Sequence, residues 1–106
     1  MSIRILLVDD HKIMRDGLRS LIEKQNGMAV VGEAENGRIA LRLTRTLQPD
    51  VIVMDINMPV MNGLEAIRAI RKEPEPINQI PIIVFSGDAF KEQQDEAIKA
   101  GADDYL

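Results

Sequence analysis

An alternation constrains this chain more than any other feature. Short apolar and β-branched runs recur at residues 3–8, 28–33, 51–54 and 80–85, and a stretch of helical spacing follows each one. A strand with one wet face would carry polar residues at every second position. These runs are apolar almost throughout, which calls for strands covered on both faces. Strands joined through helices lie parallel, and right-handed crossovers distribute those helices over both sides of one sheet. The expectation is a doubly wound α/β fold.

The punctuation between the runs agrees. Residues 12–24 place Met14, Gly17, Leu18, Leu21 and Ile22 on one face of a first helix, which Asn26-Gly27 stops. Asn36 can cap a second helix with Ile39, Ala40, Leu43 and Leu47 inward, broken by Pro49-Asp50. Asn62 can cap a third, with Leu64, Ile67 and Ile70 inward. Residues 72–79, which include Pro74 and Pro76, form the longest loop. A fourth helix over residues 90–100 ends at Gly101, and residues 103–106 begin a fifth strand.

Length and composition exclude several classes of function. A chain of 106 residues is one domain. It has no cysteine, hence neither a disulfide nor a thiolate metal site, which fits a reducing cytoplasm. No apolar run approaches the roughly 20 residues of a membrane helix. A net charge of −4, with two Phe, one Tyr and no Trp, supplies neither a basic field nor an aromatic platform, so no direct nucleic-acid binding is expected.

In doubly wound folds, sites form outside the carboxyl ends of strands, where the topology switches direction. The strand ends here carry Asp9 and Asp10 after the first run, Asp55 after the third and Ser86 after the fourth. If the first and third strands are neighbours, three carboxylates meet. Two such charges ~4 Å apart repel by about 4 kcal/mol at a moderate effective dielectric. Either a proton is retained or a hard cation fills the gap. Oxygen ligands with neither Cys nor His placed among them suit Mg²⁺, and Ser86 could offer a hydroxyl to an anion bound there.

Plainer roles compete. Asp10 can be the N-cap of the first helix, Asp9 a turn residue, Asp55 a solvated strand end, and Ser86 and Asp88 loop or cap residues. His11, the single histidine, reads as exposed and has no nucleophile beside it. Met58 and Met61 flank the loop after Asp55 without offering chemistry, and the cations of the first helix read as a solvated face.

The motifs Ile5-Leu-Leu-Val-Asp-Asp10, Pro49-Asp-Val-Ile-Val-Met-Asp55, Met58-Pro-Val-Met-Asn-Gly63, Pro81-Ile-Ile-Val-Phe-Ser-Gly87 and Gly101-Ala-Asp-Asp-Tyr-Leu106, in this order, resemble the receiver domain of two-component response regulators. Each is weak alone; together they are highly specific and span nearly the whole chain. The resemblance implies a flavodoxin-like, five-stranded parallel sheet of order 2-1-3-4-5, as in the chemotaxis member of the family. It implies that Asp55 accepts a phosphoryl group from a phosphohistidine on a sensor histidine kinase or phosphotransfer protein. It further implies that Asp10 and Asp55 bind Mg²⁺ through carboxylates and Asn57 through its backbone carbonyl, with Asp9 supporting the ion through water. Ser86 would hydrogen-bond the phosphoryl oxygens, and Tyr105 would be the aromatic that swings inward. The output is a conformational switch, not turnover of a substrate.

Family members carry a lysine just after the fifth strand and then a last helix. The chain stops at Leu106, ahead of both. The expectation is a receiver domain over residues 1–106 without its final helix, an impaired switch, with apolar surface uncovered on the first and fifth strands. That surface invites self-association, including a homodimer. The run from Asp9 to Leu18 resembles receivers that precede a helix-turn-helix domain, whereas the loop at residues 73–79 resembles stand-alone or kinase-fused receivers, so the output domain stays unassigned.

Two other classes share parts of this pattern. A flavin carrier of the same topology needs a hydroxyl- and glycine-rich phosphate loop after the first strand; this chain has Asp9-Asp-His-Lys12. An aspartyl-phosphate phosphatase needs Asp-x-Asp; this chain has Asp55-Ile-Asn57.

Overall fold

A computed structural model describes residues 2–85 and 91–106 of the chain. The elements run β1 (Ile3–Val8), α1 (Lys12–Glu23), β2 (Met28–Ala34), α2 (Gly37–Leu47), β3 (Val51–Asp55), α3 (Gly63–Arg71), a 3-10 turn (Ile77–Gln79), β4 (Ile82–Phe85), α4 (Lys91–Ala100) and β5 (Asp104–Tyr105). The five strands form one parallel sheet of order β2-β1-β3-β4-β5, as expected.

Period-two alternation divides the sheet into two unequal faces. Leu6, Val8, Ile52, Met54, Ile82 and Val84 pack with Ala40 of α2, Ala66, Ile67 and Ile70 of α3, and Ala97 of α4. Ile5, Leu7 and Val30 point the other way and meet Leu18 and Ile22 of α1. Each fully buried Leu or Ile contributes ~1.5–3 kcal/mol, so the first face supplies most of the hydrophobic stabilisation. Leu6→Ala there would cost about 2–5 kcal/mol. Buried Thr44 of α2 is satisfied locally, its hydroxyl donating to the Ala40 carbonyl at 2.7 Å.

α1 is rotated from the expected face. Arg15, Leu18, Arg19 and Ile22 form its half-buried stripe, whereas Met14 and Leu21 are 50% and 62% exposed. The cause is electrostatic: Arg15 and Arg19 both reach Glu33 near the end of β2, at 3.0 and 2.6 Å. Most of the uncovered apolar surface is therefore on the outer side of α1. On the first and fifth strands it is confined to their ends, at Ile3 of β1 and Leu106 just after β5, while Leu7 in the middle of β1 is 1% exposed. An open groove of about 790 Å³ runs along α1, lined by His11, Ile13, Met14, Gly17, Leu18, Ser20 and Leu21.

β4 begins later than its sequence run. Pro81 has no N–H to give the ladder, although its carbonyl accepts from the Ile52 N–H at 2.9 Å. Gly101 takes φ +125° at the end of α4, a conformation that strains any residue with a side chain.

Candidate functional site

β1 pairs with β2 on one side and β3 on the other, so the chain leaves adjacent strands β1 and β3 in opposite lateral directions. The register sets Val8 beside Met54. The next residues, Asp9 and Asp55, therefore emerge side by side at the carboxyl edge. The Asp9 N–H donates to the Ala34 carbonyl at 3.0 Å, which carries the strand pairing one residue past β1.

Asp9, Asp10, His11 and Asp55 each offer one ligand atom, and these atoms lie within 4.8 Å of one another. Asp9 and Asp55 are buried, at 2% and 7% exposure; Asp10 is half-buried. Asp55 Oδ1 accepts from the Asn57 N–H at 3.1 Å. Burial pushes the Asp55 carboxyl up to about 6, and the charges of Asp9 and Asp10 add to this; the Asn57 N–H and His11 pull the other way. Asp10 Oδ1 is sealed from solvent and accepts no hydrogen bond. Two buried carboxylates, a third with an orphaned oxygen, and mutual repulsion among them are the donor chemistry of a divalent-cation site.

Two expectations are corrected here. Asp10 does not cap α1; His11 holds the N-cap position, with no side-chain cap hydrogen bond. Nor does His11 stand apart. Its N–H donates to Asp9 Oδ1 at 2.9 Å, and its Nδ1 lies 3.2 Å from Asp9 Oδ1 and 3.1 Å from Asp10 Oδ1. The hydrogen bond to Asp9 and the charge of Asp10 raise the imidazole above its ordinary range. The signal for this was the adjacency Asp9-Asp10-His11 itself, since a helix starting at residue 12 turns the preceding side chain toward the strand ends.

Arg15 belongs to the site as well. Its Nη1 donates to the Asp9 carbonyl at 2.5 Å, while its Nε binds Glu33 at 3.0 Å. The loop from Ile56 to Asn62 is tied at its far end. Asn62 and Glu65 form a reciprocal capping box, and the Gly63 N–H donates to the Ile56 carbonyl at 2.9 Å. α3 starts so close to the strand that a Cβ on Gly63 would lie 2.7 Å from the Asp55 carbonyl oxygen. Within this loop Val60 takes φ +70°, strained for a β-branched residue.

The other expected residues divide. Asn57 is exposed, two positions beyond Asp55. Tyr105 is half-buried against the main core. Ser86 lies outside the described residues, as do Asp88 and Phe90.

Comparison with known proteins bears on this geometry. The family model described as response regulator receiver domain matches residues 5–106. The transcriptional regulatory protein YdfI of Bacillus subtilis is 43% identical over 103 residues, covering 97% of this chain and 46% of that protein. A protein-glutamate methylesterase/protein-glutamine glutaminase of Methanococcoides burtonii is 42% identical over 106 residues, covering 98% of this chain and 29% of that protein. The chain thus spans under half the length of these relatives. Among solved structures, a LuxR-family two-component response regulator from Aurantimonas sp. SI85-9A1 superposes with a TM-score of 0.91 at 41% identity, over 99% of this chain and 73% of that one. With the sheet order and the acidic edge already in place, the chain belongs to the response regulator receiver domain family: it is a receiver domain of two-component signalling.

Proposed function

We propose that Asp55 is the phosphoryl acceptor, that Asp10, Asp55 and the Asn57 carbonyl hold Mg²⁺ with Asp9 supporting it through water, and that the donor is a phosphohistidine on a sensor histidine kinase or phosphotransfer protein. The convergence of three carboxylates around a buried Asp55 carries this reading. A poorly solvated carboxylate is a better nucleophile than one in water, and Asp55 is ionised above about pH 6. One Asp55 oxygen bonds to phosphorus as the P–N bond of the phosphohistidine breaks, and the departing imidazole takes up a proton. Mg²⁺ held by Asp10, Asp55 and the Asn57 carbonyl would neutralise charge on the transferring group. Arg15 fixes the backbone of Asp9, and Gly63 lets α3 seat against the acceptor's own carbonyl.

Ser86 would bind the acquired phosphoryl oxygens, and Tyr105, which leans on the core from β5, would follow it inward. The new dianionic charge then biases β5 and α4 between two packings, read by an output domain or partner. Relatives at 43% and 42% identity carry the names of a transcriptional regulator and a methylesterase, so the same receiver core serves outputs of both kinds. The domain acts as a switch, because Asn57 stands where a turnover phosphatase of the Asp-x-Asp type has its acid. The proposed setting, that of the kinase domain which would donate the phosphoryl group, is cytoplasmic.

Beryllofluoride binding tests the proposal. Wild type should bind it with Mg²⁺ and not with chelator, and Asp55→Asn should not bind it. Equal binding by the Asn variant would overturn the assignment.

A further inference from the structure

The histidine in the acidic cluster has no part in the scheme above. Its Nδ1 sits 3.2 Å from Asp9 Oδ1 and 3.1 Å from Asp10 Oδ1, and the latter oxygen is buried without a hydrogen bond. Ligand atoms bound at ~2.1 Å and set at right angles lie ~3.0 Å apart. The spacing of Nδ1 from each of the two carboxylate oxygens is thus that of neighbouring corners of one coordination shell, and ligand atoms of Asp9, Asp10, His11 and Asp55 all lie within 4.8 Å of one another. The backbone hydrogen bond from His11 to Asp9 holds the residue at this position, while its side chain, 71% exposed, is free to adjust.

We propose that His11 is a direct ligand through Nδ1, and that it turns an oxygen-only site into a mixed nitrogen–oxygen site selective for imidazole-favouring divalent transition ions such as Co²⁺ and Ni²⁺ over Mg²⁺. This rests on the metal site assigned above. Mg²⁺ prefers oxygen and keeps its waters, so an imidazole adds little to its binding; Co²⁺ and Ni²⁺ gain substantially from a nitrogen donor. With an ion bound, the ring would keep one proton on Nε2 and present the Nδ1 lone pair; an imidazolium would give up its Nδ1 proton to solvent. The receiver would then respond to which divalent ion the cell supplies as well as to its kinase.

The chain holds one histidine and no cysteine, which makes the test clean. Mg²⁺, Co²⁺ and Ni²⁺ are titrated calorimetrically into tag-free wild type, His11→Ala and Asp55→Asn at one pH. The ratio of Co²⁺ to Mg²⁺ affinity should fall about tenfold or more in His11→Ala, in line with the loss of a ligand contact. Pulsed electron paramagnetic resonance of the Mn²⁺ complex should show imidazole ¹⁴N modulation in wild type and none in His11→Ala. An unchanged affinity ratio, or no nitrogen modulation in wild type, overturns the proposal and leaves His11 as a salt-bridge partner. If Asp55→Asn binds every ion as wild type does, the underlying metal site is wrong, and the proposal falls with it.

Discussion

Arg15 grips Asp9 by the backbone: its Nη1 donates to the Asp9 carbonyl at 2.5 Å, and its Nε is anchored on Glu33 at 3.0 Å. A half-buried guanidinium on α1 thereby ties the acidic turn after β1 to β2. Arg15→Met keeps the aliphatic stem and removes both bonds. Stability in urea unfolding should drop ~1.5–3 kcal/mol, the range for hydrogen bonds to charged groups. Mg²⁺ affinity should fall about tenfold, because Asp9 loses its outer support.

The Asp55 carboxyl fixes a pH dependence. Its folded-state value of about 6 lies above the ordinary 3.8, so the folded chain holds this proton more tightly than the unfolded one. The resulting stability is full below about pH 4 and is lost as pH rises through 6. In chelator at pH 7.5, Asp55→Asn should therefore be more stable than wild type, by up to ~2–3 kcal/mol. Thermal unfolding of both proteins from pH 4.5 to 8 checks this, since the gap should shrink as pH falls. His11 titrates in both proteins, and its shift comes mainly from Asp9 and Asp10, which both proteins keep, so the difference between them reports chiefly on Asp55.

A divalent cation should remove that penalty. At tenfold its dissociation constant, Mg²⁺ adds ~1.4 kcal/mol to wild type. For a domain of this size that is a rise in Tm of roughly 5–10 °C. Asp10→Ala and Asp55→Asn should both lose most of it in differential scanning fluorimetry.

Gly63 has no room for a methyl group. A Cβ would lie 2.7 Å from the Asp55 carbonyl oxygen and 2.8 Å from Ile56 Cα, both backbone atoms that cannot yield alone. Gly63→Ala should cost ~1–3 kcal/mol in chemical denaturation. It should also weaken Mg²⁺ binding, because the strand end must move.

Val60 should show the reverse. Its φ of +70° is strained for a β-branched residue, and its side chain is 69% exposed, so little packing is lost on truncation. Val60→Gly should raise stability by ~0.5–1 kcal/mol, the relief of strain exceeding the entropy cost of glycine. A fall in stability would show that the turn depends on the valine side chain.

Much of this was legible in the chain. The apolar runs announced strands buried on both faces, and Asp9, Asp10 and Asp55 at run ends announced where they would meet. Asn36 and Asn62 cap α2 and α3 through their side chains as their positions implied. What periodicity could not show was the rotation of α1. Met14 and Leu21 fit an inward face as well as Leu18 and Ile22 do, and the choice was made by Glu33, a residue of another element. His11 and Arg15 were missed for the same reason: their roles depend on side-chain direction across a turn, not on spacing. Pro81 shortened β4 through a donor it lacks, an effect that apolar patterning ignores.

The pairing of β1 with β3 has a kinetic side. Asp9 and Asp55 meet only after the intervening β2 and α2 have folded back and a strand from late in the first half has docked beside the first strand. Such long-range parallel pairing is slow, because loop-closure entropy is spent before the contacts form. The acidic cluster therefore cannot be complete before β1 and β3 have paired. A chain in which β1 and β3 have not paired lacks this cluster altogether, so on the reading proposed above only molecules with the central pairing in place could accept a phosphoryl group.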